Sequence, residues 1–205
     1  DCTFTNTIQR GNIVVEKQTD PDGSSQLFDF TTSYSGGFSI SDGQQNDSGP
    51  LLPTSEAGTY SVSESLPAGW ELTSATCSDG SSADAIDLAP GETVTCVFTN
   101  TIQRGNIIVQ KVTDPDTSTE DFGFVTNYGD PFVLTTGEQN DSGELLPTSE
   151  GGTYSVIADD ELGWVLTSAI CDDGSDPTAI DLAPGETVNC LFTNTIQRGN
   201  IIVQK

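Results

Sequence analysis

Thr99-Asn100-Thr101-Ile102-Gln103-Arg104-Gly105-Asn106-Ile107 decides how the rest of the chain is read, because the same nine residues also begin at Thr5 and at Thr193. Cys2, Cys96 and Cys190 share the same spacing of 94. Residues 11–104 align with residues 105–198 without a gap, with about two thirds of the positions identical. That period is too long for one turn of a solenoid and close to the size of an immunoglobulin-like sandwich, so each copy is expected to own its core. Residues 1–10 then match the end of a preceding copy and residues 199–205 the start of a following one, as in a piece of a longer array of beads. Between copies, Cys96-Val97-Phe98-Thr99-Asn100 runs through Thr101-Ile102-Gln103-Arg104 into Gly105-Asn106-Ile107 with no Gly/Ser linker, which predicts restricted bending.

Composition narrows the classes. The 205 residues carry 31 acidic and 6 basic side chains, a formal net charge of −25, with no histidine, no methionine and five cysteines. Without histidine there is no imidazole base, no Ser-His-Asp or Cys-His pair and no ordinary histidine zinc site. So few basic residues argue against nucleic acid as a partner. No apolar run is long enough for a membrane span, and no signal peptide is evident.

Short runs rich in Val, Ile, Phe, Tyr and Thr alternate with Asp, Gly, Pro and Ser clusters, the pattern of an all-β sandwich with no convincing helical period. Strands are expected near 12–17, 27–33, 37–41, 58–64, 70–76, 85–88 and 92–101. Turns are expected at Asp20-Pro21-Asp22-Gly23, Asp42-Gly43, Asn46-Asp47-Ser48-Gly49 and Ala89-Pro90-Gly91, and the second copy follows the same plan. Side chains alternate faces along a strand, so Ile13, Val15 and Lys17 share one face, Tyr60, Val62 and Glu64 another, and Val94, Cys96, Phe98 and Asn100 a third. Each apolar face ends in a polar residue that is costly to bury unless the three satisfy one another.

Burial favours the neutral amine of a lysine and the protonated acid of a glutamate. A neutral amine can attack a side-chain amide when an acid polarises the carbonyl and relays protons, releasing ammonia and leaving a Lys–Asn isopeptide bond. The frame Gly11-Asn12-Ile13-Val14-Val15-Glu16-Lys17, then Gly58-Thr59-Tyr60-Ser61-Val62-Ser63-Glu64 followed by Gly69-Trp70, then Val97-Phe98-Thr99-Asn100-Thr101, resembles the Cna B-type, SpaA-like repeats of bacterial surface proteins and pilins. The resemblance covers both copies nearly end to end. It implies tandem transthyretin-like (prealbumin-like) β-sandwiches with the first and last strands side by side, and in many members a spontaneous isopeptide bond. Carried over, Lys17 is the amine, Asn100 the acceptor and Glu64 the assisting acid. The second copy keeps Lys111 and Asn194 but has Ala158 in the place of Glu64, with Asp159 on the opposite parity and Asp160 beyond it, so its bond depends on Asp160 reaching in. The plainer reading is that Lys17 and Lys111 lay their stems across the core and reach solvent.

Imposing the repeat pairs Cys77 with Cys96 and Cys171 with Cys190, and leaves Cys2 for a partner in the preceding copy. Disulfides in an oxidising, extracellular compartment are expected, against the alternative of buried free thiols. No cofactor is required by this reading. Asp20 and Asp22, repeated as Asp114 and Asp116, together with the Asp79 and Asp173 loops, are weak candidates for calcium ligands, none matching an EF-hand loop. The bland reading of the acidic excess is a solvated surface, and adaptation to a saline habitat is a third. Asn46-Asp47-Ser48 and Asn140-Asp141-Ser142 match the N-glycosylation pattern, although turn geometry also explains them. Trp70 and Trp164 read as core anchors beside Leu72 and Leu166.

The expected function is structural: an extracellular fibre or stalk in which a Lys–Asn link or the disulfide blocks extension under tension. Its partners are neighbouring copies of the same repeat, with lateral self-association left open and calcium-dependent bundling as one form of it. The competing class is an adhesin recognising a ligand through its loops. Catalytic turnover of an external substrate finds no nucleophile-base pair.

Overall fold

The computed structural model describes residues 1–205, and the chain divides into two compact units, Asp1–Ile102 and Gln103–Lys205. Each holds one two-sheet β-sandwich.

In the first unit the elements are β1 (Asn12–Asp20), β2 (Phe28–Thr32), β3 (Phe38–Ile40), β4 (Gln45–Asp47), the one-turn α1 (Thr54–Ala57), β5 (Val62–Ser65), β6 (Trp70–Cys77) and β7 (Thr93–Ile102). One sheet has the order β4-β1-β7-β6 and the other β3-β2-β5. β1 and β7 are parallel, in register from Asn12↔Thr93 to Asp20↔Thr101. A parallel pair needs a long crossover, and here the crossover builds the second sheet before the chain returns as β7. The core lies between the sheets. Ile13, Val15, Val94, Cys96 and Phe98 face Phe28, Phe30, Ile40 and Val62, all buried. Aromatic rings interlock across it: Phe28 meets Trp70 edge-on with centroids 5.2 Å apart, and Phe30 meets Phe98 at 5.1 Å.

The second unit repeats this plan with β8 (Asn106–Asp114), β9 (Phe122–Thr126), β10 (Phe132–Leu134), β11 (Gln139–Asp141), α2 (Thr148–Gly151), β12 (Val156–Ala158), β13 (Trp164–Cys171) and β14 (Thr187–Ile196). Its sheets are β11-β8-β14-β13 and β10-β9-β12, with β8 and β14 parallel. The glycine opening each copy is required by close approach. A Cβ on Gly11 would meet the Glu92 carbonyl oxygen at 2.5 Å and the Leu88 side chain at 2.9 Å, and one on Gly105 would meet the Glu186 carbonyl.

Four local expectations are corrected. Residues 85–88 form no strand: Ile86 makes an isolated bridge to Tyr60, and Leu88 is held by α1, donating its N–H to Thr54 Oγ1 at 2.6 Å. Asn46 and Asp47, expected within a turn, belong with Gln45 to the edge strand β4 paired to β1, and the turn follows at Gly49, whose N–H reaches Asp47. A single helical turn does occur after Pro53 and Pro147. Finally, Leu72 and Leu166 do not join the tryptophans in the core; they are 41% and 44% exposed on the outer strands.

Candidate cross-linking site

Lys17 and Asn100 are among the most deeply buried residues of the first unit, both 0% exposed. Their placement follows from strand parity. Lys17 continues the inward row of Ile13 and Val15 on β1, and Asn100 continues the row of Val94, Cys96 and Phe98 on β7. Because β1 and β7 are parallel neighbours, with Lys17 opposite Phe98 and Thr19 opposite Asn100, the amine lies within reach of the amide. Lys17 Nζ donates to Asn100 Oδ1 at 2.8 Å, to the Gln18 carbonyl at 2.7 Å and to the Phe98 carbonyl at 3.1 Å, and sits 4.1 Å from the centroid of the Phe28 ring. The opposite sheet supplies Glu64. On β5, paired with Phe30, it brings Oε1 to 3.6 Å from Nζ, with its side chain 1% exposed.

The electrostatics of this trio is a contest between desolvation and attraction. Burial lowers the pKa of Lys17 against the pull of Glu64, and burial raises that of Glu64 against the pull of Lys17. Neither carboxylate oxygen of Glu64 has a hydrogen-bond partner, nor does Asn100 Nδ2. A buried ion pair whose carboxylate accepts no hydrogen bond is costly, and both shifts run toward the neutral amine and the protonated acid. The ammonium fills all three acceptors around it. The neutral amine retains a lone pair, next to the amide carbon it would attack.

The second unit reproduces the frame without the acid. Lys111 is 1% exposed, donates to the Val112 carbonyl at 2.6 Å and lies 4.1 Å from the Phe122 centroid. Burial alone lowers its pKa to about 8. Asn194 is 3% exposed and its Oδ1 has no partner. Ala158 pairs with Phe124 in the register that Glu64 keeps with Phe30, so it stands in the acid's place. Asp159 does not substitute. Its N–H donates to the Gly123 carbonyl at 2.9 Å and its carboxylate lies over the bare Gly123 on β9, while Asp160 is exposed.

Both intradomain disulfides are present, Cys77–Cys96 and Cys171–Cys190, each joining register partners of adjacent antiparallel strands, and Cys2 is an exposed free thiol. They connect β6 to β7 and β13 to β14. Neither spans the parallel pair, which corrects the expectation that a disulfide alone blocks extension of a copy.

The calcium expectation at Asp20 and Asp22, and at Asp114 and Asp116, also finds no support in the geometry: nowhere do three or more acidic or cysteine side chains gather as a metal site. The turn is organised instead by Asp42, which sequence reasoning passed over. Its carboxylate accepts the Thr19 N–H at 2.6 Å and the Gly23 N–H at 2.8 Å. Burial would raise its pKa, but these backbone donors outweigh it and hold the group below the usual carboxylate range. In the second copy Thr136 takes the Thr113 N–H in the same way. The only signal for Asp42 was its place beside Gly43, which read as a turn and nothing more. The Phe28 ring and the Phe98 carbonyl at the lysine were likewise unmarked in the sequence.

The sequence profile of the SpaA-type "Prealbumin-like fold domain" matches twice, over residues 13–102 and 107–196. No curated protein matches the chain. Among solved structures, the Bacillus anthracis TIE protein is similar at TM-score 0.56 and 18% identity, over 92% of this chain and 34% of that one. A C-terminal fragment of the pilus adhesin SpaC from Lactobacillus rhamnosus GG is similar at TM-score 0.50 and 16% identity, over 95% of this chain and all of that one. The major pilin from Streptococcus pyogenes follows at TM-score 0.45 and 11% identity, over 94% of this chain and 100% of that one. The chain spans about a third of the length of the B. anthracis protein. These likenesses are of fold, and no helix is long and apolar enough to cross a membrane. With two full matches occupying most of its length, the chain belongs to the SpaA-type prealbumin-like domain family.

Proposed function

We propose that this chain is a load-bearing segment of an extracellular fibre or stalk, in which the first copy locks itself with a Lys17–Asn100 isopeptide bond assisted by Glu64. The observation that carries this reading is the placement of Lys17 and Asn100 on the parallel pair β1 and β7, the strands by which the chain enters and leaves the sandwich. Tension applied at the two ends shears this pair along its whole length. A bond between Lys17 and Asn100 passes the load directly from β1 to the end of β7, so residues 18–99 never carry it. Formation balances as a transamidation. Lys17 Nζ attacks Asn100 Cγ, the protonated Glu64 polarises the carbonyl, takes a proton from the attacking amine and gives one to the departing nitrogen, and one ammonia leaves.

Membership of the family supports a structural role, and the likeness to a pilus adhesin fragment supports a place on a cell surface. The second copy, lacking the acid, acts as the extensible partner, held by its disulfide and packing. The adhesin reading has no comparable observation in its favour, since the copies differ most at scattered loops such as 65–68 and 159–162.

Pulling the chain from its ends in a force spectrometer tests the assignment. One unfolding event is expected, from the second copy, lengthening the chain by on the order of 200 Å at ~3.4 Å per released residue outside the disulfide loop. Two events of that size in the native chain would defeat the proposal; N100A should produce them.

A further inference from the structure

The place left by the missing acid is an open cleft of about 290 Å³, lined by Ala158, Asp159, Asp160, Glu161, Trp164 and Asn194 among others. Two features mark it as more than an indentation. Asn194 is buried and lines the cleft, yet its Oδ1 has no hydrogen-bond partner. Trp164, the counterpart of the buried Trp70, is only partly covered. What the two copies differ by at this point is the fragment beyond Cβ of a glutamate, which is an acetic acid.

We infer that this cleft binds a carboxyl group, which completes the Lys111–Asn194 site and licenses its isopeptide bond. This rests on the reading proposed for the first copy. A carboxylic acid seated against Ala158, as Glu64 is seated beside Lys17 in the other copy, donates its O–H to the unpartnered Asn194 Oδ1. Lys111 Nζ attacks Asn194 Cγ. The acid protonates the carbonyl oxygen, its conjugate base carries a proton from the amine to Nδ2, which leaves as ammonia, and the carbonyl reforms by returning its proton to the carboxylate, so the acid is regenerated. The acid is a free small carboxylate or a side chain of another copy. The acidic rim weakens anion binding, so saturation requires a high concentration of the free acid.

The experiment incubates the whole chain in sodium acetate or in sodium chloride of equal ionic strength, followed by denaturing intact mass and peptide mapping. With acetate a second ammonia is lost, mapped to Lys111 and Asn194, at least tenfold faster than in chloride. The variant A158E loses both ammonias without acetate. In chloride, a second loss that speeds up with protein concentration identifies a carboxyl group from another copy as the ligand. Loss of the first ammonia but never the second in acetate overturns the inference, as does a second loss in chloride that is independent of protein concentration. Loss of neither, in any arm, is the failure of the reading for the first copy instead.

Discussion

Lys17 and Lys111 occupy the same place in two nearly identical frames and meet different company. Lys17 has an acid at 3.6 Å with which to exchange a proton; Lys111 has only carbonyl and aromatic neighbours. The consequence for the second copy is a pH dependence whose sign is fixed by desolvation. Unfolded, Lys111 titrates near 10.5; folded, near 8. Below about pH 8 both states carry the proton and the folded state bears the full penalty of a buried charge. Between about 8 and 10.5 the unfolded state binds more protons, so stability rises with pH across that window. Denaturant unfolding followed by Trp164 fluorescence in a W70F background should show this rise. Replacing the amine, K111M, should stabilise the second copy by about 1–3 kcal/mol near neutral pH and flatten the profile. A profile already flat in the parent protein would mean that Lys111 keeps its charge solvated or has lost it to a covalent bond.

Among the elements, the long strands were legible and the short ones were not. β1 and β7 alternate apolar and polar residues over many positions, so parity alone put Lys17 and Asn100 inside. β4 consists of Gln45, Asn46 and Asp47, which offer no apolar face to read, and its existence depends on hydrogen bonds to β1. The segment 85–88 has strand composition, but Leu88 is diverted to cap the helical turn at Thr54. That turn is four residues long, far below the length at which a helical period registers. The disulfides belong to this scale too. Cys77–Cys96 closes a loop with a sequence separation of 19 at the outer edge of one sheet. Cutting both bonds by C77S/C96S and C171S/C190S should cost each copy about 3 kcal/mol in the chain-entropy model. In a force experiment these variants should lengthen the extension of the second copy without unlocking the first; unlocking of the first would mean that the disulfide, not the lysine, holds β7.

For the molecule as a whole, the repeat of 94 residues carried most of the information, because it made every assignment in one copy testable in the other. The fold followed from it together with the strand patterns. The meeting of Lys17, Glu64 and Asn100 in the core followed from parity and from the frame residues around them. What stayed hidden were interactions set only in three dimensions: Asp42 gathering the backbone of its turn, Phe28 beneath the amine, and Asp159 drawn onto Gly123 and away from the position the second copy would need. The most direct measurement is the intact mass of the whole denatured chain, before and after reduction, with peptide mapping. One ammonia is expected to be missing, located between Lys17 and Asn100 and retained in E64A, together with two reducible disulfides. A mass with both disulfides and no ammonia deficit would contradict the cross-link.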